Sequence, residues 1–557
     1  MFPQAPGPLR SLAPVPNSGP SVRVLTMGRT RCRTLAAIGL LILVAFLVRA
    51  GSLDAQSLWR DEVDSLRFAT APPSELLSSF TRHGWNGPLY HLVLRGWIAF
   101  TGTSEYAMRF LSLFFGVLAV PLIYATGRRL FDPLTGIVSA VLVAGSPYLV
   151  WYSQEVKMYT LVLALALLAV YSLRRALDGG SWLWWVSQFA ATTLALYVHI
   201  LAALLIPVQM LLCVAWWPRT RLRWRPALIS FACLTLPYLP LLAWQGPLAF
   251  EARDTGFYAY SLSQMIVILL NAWATGIAGW GRAWAAVLVS LLAAAALLAG
   301  AARLRPSPDS ADEAPSSTTA RHHLALLIWL VVPLLAIWLV SLRQPLFTDR
   351  YLIWSAPPFY ILVALALTRL ARFNSLGKWV AALLLSIVLV VDGVNVLAQA
   401  TTPIKSDFRA AAHYVASYQG PADSAAPPPS PAPGPFRCYL PIIVVGPSAF
   451  NDLIIFQIPY GRYTFDYYFP LDTYPHAEGL YTNHRAADGG YLLSEQEAAW
   501  RMREMTDGYN AVWLIATEMA TWDQRNLVQH WLDHHFHRSA EANFTRVDVY
   551  HYTRPAP

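Results

Sequence analysis

Charge is what this chain has least of. Asp, Glu, Lys and Arg make up 13% of its 557 residues, against 56% hydrophobic. A typical soluble domain carries about 25% charge, so this balance excludes both an ordinary soluble protein and a disordered one. Cysteine is scarce as well. Cys32, Cys213, Cys233 and Cys438 form no CxxC and no metal-spaced pair, which leaves neither a disulfide framework nor a zinc site to expect. The sequence has no G-x-x-x-x-G-K-S/T, no G-x-G-x-x-G in a strand–helix setting, no HExxH and no GxSxG. A nucleotide-driven reaction is thereby disfavoured.

What the chain has instead is oil. Apolar runs lie near 34–50, 106–127, 134–151, 158–174, 182–199, 200–217, 227–245, 283–302, 324–342, 351–369 and 379–398, and a membrane span needs about 20 such residues. The first run follows Arg29, Arg31 and Arg33 but lacks a small-residue cleavage site after it, so it reads as an uncleaved span. The net charge of +9 does not point to nucleic acid, because the arginines cluster at the ends of apolar runs. With the N-terminus in the cytoplasm, every second loop is basic: Arg128-Arg129, Arg174-Arg175, the cluster Arg219 to Arg225, Arg303 to Arg321, and Arg369 to Lys378. This is the positive-inside pattern, and it supports eleven spans in an inner or plasma membrane. The run 263–280 would break the parity, so we assign it to a helix lying at the outer interface.

The expected fold class is therefore an α-helical polytopic membrane protein with a soluble α/β domain on the outer face. Residues 1–27 are Pro-rich and read as a disordered tail. Residues 28–399 form the membrane domain, with a long first outer loop at 52–105. Residues 400–557 form the extracytoplasmic domain, in which an amphipathic stretch Phe408–Tyr418 precedes a Pro/Ala linker at 421–435. Strands are expected at 439–445, 511–515 and 544–552, and helices at 494–505 and 519–534.

Four clusters on the outer face can carry chemistry. The first is Arg60-Asp61-Glu62, a few residues after the first span. Adjacent carboxylates can supply a general base, a cation ligand or both; the plainer reading is a solvated loop paired with Arg60 or Arg67. The second is His83-Gly84-Trp85-Asn86-Gly87-Pro88-Leu89-Tyr90-His91, a turn opening an interfacial helix. An aromatic belt explains Trp85 and Tyr90 better than it explains the histidines. The third is Gln154-Glu155-Val156-Lys157 between two spans, a second acidic corner of one cavity or a local ion pair. The fourth is Asp349-Arg350-Tyr351, where Arg350 either snorkels or clamps an anionic lipid phosphate. Lys157 and His199 are weaker candidates for that clamp, and His199 more simply ends a helix.

Several of these stretches carry a family likeness: Trp59-Arg60-Asp61-Glu62; Asn86-Gly87-Pro88-Leu89-Tyr90-His91 with Gly102-Thr103-Ser104-Glu105 and Arg109-Phe110-Leu111-Ser112; Gly127-Arg128-Arg129 through Ser146-Pro147 to Tyr152-Ser153-Gln154-Glu155-Val156-Lys157-Met158-Tyr159; and Asp349-Arg350-Tyr351-Leu352. In this order and spacing the chain resembles the bacterial GT-C superfamily of integral-membrane glycosyltransferases, in the group of protein O-mannosyltransferases and aminoarabinose transferases. The resemblance implies a polyprenyl-phosphate sugar donor and a lipid, glycan or protein acceptor. It implies Asp61 as the base, Glu62 as its partner, Glu155 at the third-to-fourth-span junction and Arg350, with Tyr351, at the phosphate. Relatives carry His-Pro-Pro where this chain has Asn86-Gly87-Pro88, and His83 and His91 are the candidates to stand in. The residues permit, without requiring, a divalent metal ion held by Asp61 and Glu155. Burial and acidic neighbours are expected to raise the Asp61 pKa. Two other readings stay open: a transporter or flippase of a lipid-linked sugar, and a non-catalytic membrane scaffold.

Overall fold

The computed structural model describes residues 20–80, 86–245, 257–301, 314–418, 452–485 and 489–555. Nine helices build the half that carries the acidic pair: α1 (Pro20–Ala50), α2 (Arg60–Thr70), α3 (Pro73–Phe80), α4 (Leu89–Thr101), α5 (Glu105–Leu130), α6 (Pro133–Gly145), α7 (Pro147–Ser153), α8 (Tyr159–Leu177) and α9 (Leu183–Val198). All eleven apolar runs are helical. Among the described residues, six helices are long and apolar enough to cross a membrane alone, or nine if three bent pairs are each one span. Two features separate that number from the eleven runs. Leu183–Val198 has 16 residues, and two of the runs join in one pair bent by 90° between Ala215 and Trp217.

Packing places α8 at the centre, with Val162, Ala166, Ala169 and Leu173 sealed from solvent. α1 lies at the edge, with Leu35, Leu40 and Leu47 exposed, as a lipid-facing helix must be. The expected interfacial segment is a helix, Leu262–Thr275, of 14 residues. At roughly 1.5 Å per residue it is too short to cross a hydrocarbon core of about 30 Å.

Two broken spans shape the site. At Ser146-Pro147 the chain bends by 58° between α6 and α7. Proline cannot donate to the ladder, so carbonyls of the preceding turn are freed. Arg49 of α1, fully buried, takes them up, donating to Val143 O at 3.1 Å and Ala144 O at 2.9 Å. The second break lies between the 3₁₀ segment Asp349–Ser355 and the helix Pro357–Phe373, again bent by 58°. Irregular backbone at membrane depth is tolerated where it lines a cavity, and both breaks end at residues of the candidate site.

The C-terminal region forms a five-stranded sheet in the order β2-β1-β3-β5-β4: β1 (Asp452–Phe456), β2 (His476–Glu478), β3 (Ala511–Ala516), β4 (His537–Phe544) and β5 (Val547–Thr553). β1 pairs in parallel with β2 and β3, while β5 is antiparallel to β3 and β4. The strands read at 511–515 and 544–552 are present, the latter as β5 after a turn at 545–546. The helices read at 494–505 and 519–534 are Glu495–Thr506, Met519–Trp522 and Leu527–His535. The strand expected at 439–445 and the 421–435 linker lie outside the described residues.

This region is stitched to the first loop. Tyr468 Oη accepts from Leu58 N at 2.7 Å and bonds to Glu105, which also pairs with Arg409. Arg60 and Arg67 of α2 lie 3.6 and 3.5 Å over the rings of Tyr460 and Tyr463.

Gly87 marks a tight approach: a Cβ there would lie 1.9 Å from the Tyr197 carbonyl oxygen on α9. Overpacking of this kind costs roughly 1–3 kcal/mol. We expect Gly87→Ala to lower the thermal midpoint of the detergent-solubilised protein by several degrees. Gly96→Ala, where nothing lies within 4 Å of the added Cβ, should hold the midpoint or raise it slightly, because alanine is the better helix former.

A candidate active site at the head of the first loop

α2 starts one residue before the acidic pair, with Trp59 extended at its N-cap. Carboxylates in a helix's first turn face the positive end of its dipole. Successive helical residues are about 100° apart, so Asp61 and Glu62 diverge, and the structure gives them different surroundings.

Glu62 points into the protein and is sealed from solvent. Arg109 of α5 grips it bidentately, Nε to Oε1 and Nη2 to Oε2, both at 2.8 Å. Lys405 Nζ donates to Oε2 at 2.8 Å and Val156 N to Oε1 at 3.0 Å. Burial would raise this carboxyl, but Arg109 and Lys405 outweigh it and hold the pKa down at about 2. Arg109 also donates to the carbonyls of Leu53, Gln56 and Ser57 at 2.8–3.1 Å. Glu62 is thus a permanent anion around which the loop is wound. The expected partnership with Asp61 is corrected: its lone pairs are committed to Arg109, Lys405 and Val156, not to a reacting group.

Asp61 faces the other way, with its side chain 31% exposed and its Oδ2 accepting from Arg350 Nη1 at 2.9 Å. Burial raises its carboxyl, yet Lys157, Arg350 and Arg60 together lower it below the ordinary range. The expected upward shift is reversed, because cations rather than carboxylates are its neighbours. The upward shift falls on Glu155 instead. That carboxyl is fully buried, neither oxygen has a hydrogen-bond partner among the described residues, and burial pushes it up to about 7. Lys157 lies within electrostatic reach of both acids, and burial lowers its ammonium.

Arg350 is poised for a second partner. Its Nε is buried and has no hydrogen-bond partner among the described residues. The rings of Trp59 and Tyr159 lie 6.0 and 5.9 Å from the guanidinium. Tyr351 stacks edge-on against His199, centroids 5.1 Å apart. His199 accepts from Leu201 N through Nδ1, the helix-end task read for it.

The second cluster is only partly drawn in. Asn86 Oδ1 accepts from Ile200 N at 3.3 Å, a structural contact between the loop and the 3₁₀ segment Ile200–Leu204 that follows α9. His91 packs beside Phe68 and Tyr90, and burial lowers it to about 3, so it is neutral at physiological pH. Its link to the acidic cluster is its electrostatic contact with Lys157. His83 lies outside the described residues.

A divalent ion does not fit these groups. Hard cations take six or more oxygens, whereas an Asp61 oxygen is engaged by Arg350 and Lys157 stands beside both acids. Among the described residues no three His, Cys, Asp or Glu side chains converge as a metal site.

Sequence reasoning missed Lys405, and it gave Arg109 no role. One signal was available. The chain contains three lysines, Lys157, Lys378 and Lys405, against 41 basic residues in all. Where arginine is the default cation, two of three lysines belong to this one cluster.

Comparison with known proteins fits this geometry. Residues 85–244 match the sequence profile of the family described as dolichyl-phosphate-mannose-protein mannosyltransferase. That stretch includes Glu155 and Lys157 but not Asp61 or Arg350. No curated protein matches the chain. The solved oligosaccharyltransferase AglB from Archaeoglobus fulgidus, in complex with an inhibitory peptide and a dolichol-phosphate, superposes with TM-score 0.54 at 13% identity, over 94% of this chain and 74% of that one. ArnT from Cupriavidus metallidurans in its apo state gives 0.54 at 14%, over 92% and 97%. ArnT bound to undecaprenyl phosphate gives 0.51 at 13%, over the same shares. The chain has the GT-C glycosyltransferase fold. In that GT-C frame the two span breaks and the first loop enclose one polar cluster.

Replacing Glu62 by Gln leaves Arg109 and Lys405 without a buried counter-ion, a loss of roughly 3–5 kcal/mol. With a folded pKa of about 2 and an unfolded value near 4.3, the ion pair stabilises fully above about pH 4.3. Its contribution is lost as pH falls toward 2. Thermal midpoints measured from pH 6 down to pH 3 should therefore drop more steeply for the parent protein than for Glu62→Gln.

Proposed function

We propose that this protein moves a sugar from a polyprenyl-phosphate donor to an acceptor hydroxyl on the outer face of a cell's inner or plasma membrane. The observation that carries the proposal is Arg350. It holds Asp61 with one nitrogen while its buried Nε is unengaged, in a cluster that also contains Lys157. A forked guanidinium suits a phosphate, and a departing sugar phosphate needs cations more than it needs a protonating acid.

The reaction balances without a metal ion. The acceptor oxygen attacks the anomeric carbon, and the carbon–oxygen bond to phosphate breaks. The bonding pair leaves with the phosphate, and the acceptor proton passes to a carboxylate. Direct displacement inverts the anomeric centre. Asp61 is the proposed base. As long as Arg350 holds it, it is a weak one. A phosphate that draws Arg350 away removes the cation that depresses Asp61, so donor binding would prime the base. Tyr351 and the ring of Tyr159 would flank that phosphate.

Glu155 is a specific second base. Its pKa of about 7 and its two unengaged oxygens match the requirement that a general base titrate near the operating pH. In either case the acceptor is a hydroxyl of a lipid, a glycan or a protein. The 28–399 region would house the chemistry, and the region from 400 on would complete it through Lys405.

The test uses purified protein in nanodiscs with a polyprenyl-phosphate sugar, following transfer or donor hydrolysis. Asp61→Asn should cost at least about 100-fold in rate; parental activity in that variant would remove Asp61 from the base role. Arg350→Lys keeps the charge but loses the fork, and should raise the donor KM more than it lowers kcat. A rate that climbs through pH 7 and flattens in Glu155→Gln would assign the base to Glu155. A rate level from pH 6 to 8 keeps it on Asp61. Transport of unmodified donor into sealed vesicles, with no covalent product, would replace the transferase reading.

A further inference from the structure

A large cavity lies nowhere near Asp61. It lies at the other end of the bundle, with a volume of about 1700 Å³. α5 carries Arg109 near one end and lines this cavity with Arg128 and Arg129 at the other. α8 begins at Tyr159 beside Arg350 and reaches the cavity with Arg174 and Arg175. A 19-residue helix is roughly 28 Å long, so the two sites sit at opposite membrane faces.

Among the described residues, eight arginines and two aspartates line the cavity, a formal excess of six positive charges. Basic residues at span ends are ordinary, but these are not all splayed into water. Arg129, Arg174 and Arg219 converge on the single carboxylate of Asp178, at 2.5, 3.0 and 2.7 Å. One acid cannot neutralise three guanidinium groups. Arg174 is 4% exposed and its Nε has no hydrogen-bond partner among the described residues. The same holds for Nε2 of His322, at 6%. Both side chains line the cavity, so buried donor capacity faces it unspent, and unpaired buried polar groups are costly. The cavity wall also includes Leu222 and Phe373, 76% and 81% exposed. Large bare hydrophobic groups beside a basic pocket at a span end fit acyl chains, not water.

We propose that this cavity binds the phosphate head group of an anionic membrane phospholipid. The guanidinium groups of Arg129, Arg174 and Arg219 would hold phosphate oxygens, while Leu222 and Phe373 would lie along the chains. Basic pockets between spans recognise such head groups elsewhere. The site is separate from the proposed catalytic cluster and does not depend on it.

The experiment is native mass spectrometry of the full-length protein released from nanodiscs of phosphatidylglycerol with diphosphatidylglycerol, or of phosphatidylcholine alone. Retention of the anionic lipids but not of phosphatidylcholine is expected. The double variant Arg219→Gln/Arg223→Gln leaves Asp178 paired with Arg129 and Arg174, so it should keep the parental thermal midpoint. It should weaken retention roughly 20–30-fold, at the contribution typical of two basic residues. Arg350→Gln should leave retention unchanged. Three results would overturn the proposal: equal retention of phosphatidylcholine, loss in Arg350→Gln but not in the double variant, or pyrophosphate displacing all bound lipid and binding as tightly by itself. The last result would assign the cavity to a free phosphate compound.

Discussion

One ion pair organises this molecule's polar end. Arg109 reaches from the fifth helix into the first loop and holds Glu62 with two nitrogens, while its remaining donors collect the carbonyls of Leu53, Gln56 and Ser57. A loop of this length would otherwise pay a large ordering entropy. Around Glu62 it becomes a fixed ledge. The direction of Asp61 follows from that ledge, since α2 cannot turn without taking Glu62 out of Arg109's grip. Val156 N also bonds to Glu62, so the same carboxylate sets the turn that carries Glu155 and Lys157.

Three carboxylates within one region thus hold three different electrostatic states. Glu62 is an anion locked between cations. Asp61 is an anion held by Arg350. Glu155 is sealed from water without a hydrogen-bond partner among the described residues, and its proton affinity rises. The ordering comes from which cation each can touch, not from sequence distance: Asp61 and Glu62 are neighbours and are held by different cations. A cluster arranged this way can respond to an arriving phosphate, because Arg350 is the one of these cations that the phosphate and Asp61 would share.

Much of this was legible in the sequence. The apolar runs marked the helices, since hydrophobic length carries that information directly. Phe408–Tyr418 and the strands and helices of 494–552 followed from alternation and amphipathic spacing. The acidic pair, Glu155 and Arg350 stood out because a charge in an oily chain has to be accounted for. What the sequence could not carry was partnership. Nothing local says that Lys405 meets Glu62 across 343 positions. Arg60 is a local cation, but nothing local reveals that Lys157 and Arg350 also ring Asp61; adjacent Glu62 and the acid at Glu155 suggested acidic company for it. Broken spans were likewise read as continuous, because the bend at Pro147 depends on Arg49 of another helix donating to the freed carbonyls.

Lys405 also bears on how the protein is made. A polytopic chain enters the membrane from its N-terminus as it is synthesised, so the first loop emerges early. Glu62's second cation lies 343 residues further along. At about 5–20 residues per second that is a wait of roughly 20–70 s. During it the loop has Arg109 but not its full complement, and the ledge bearing Asp61 is unfinished. The site therefore closes late in biogenesis, after nearly every span has been threaded. The nascent protein spends most of its synthesis with this polar corner unassembled.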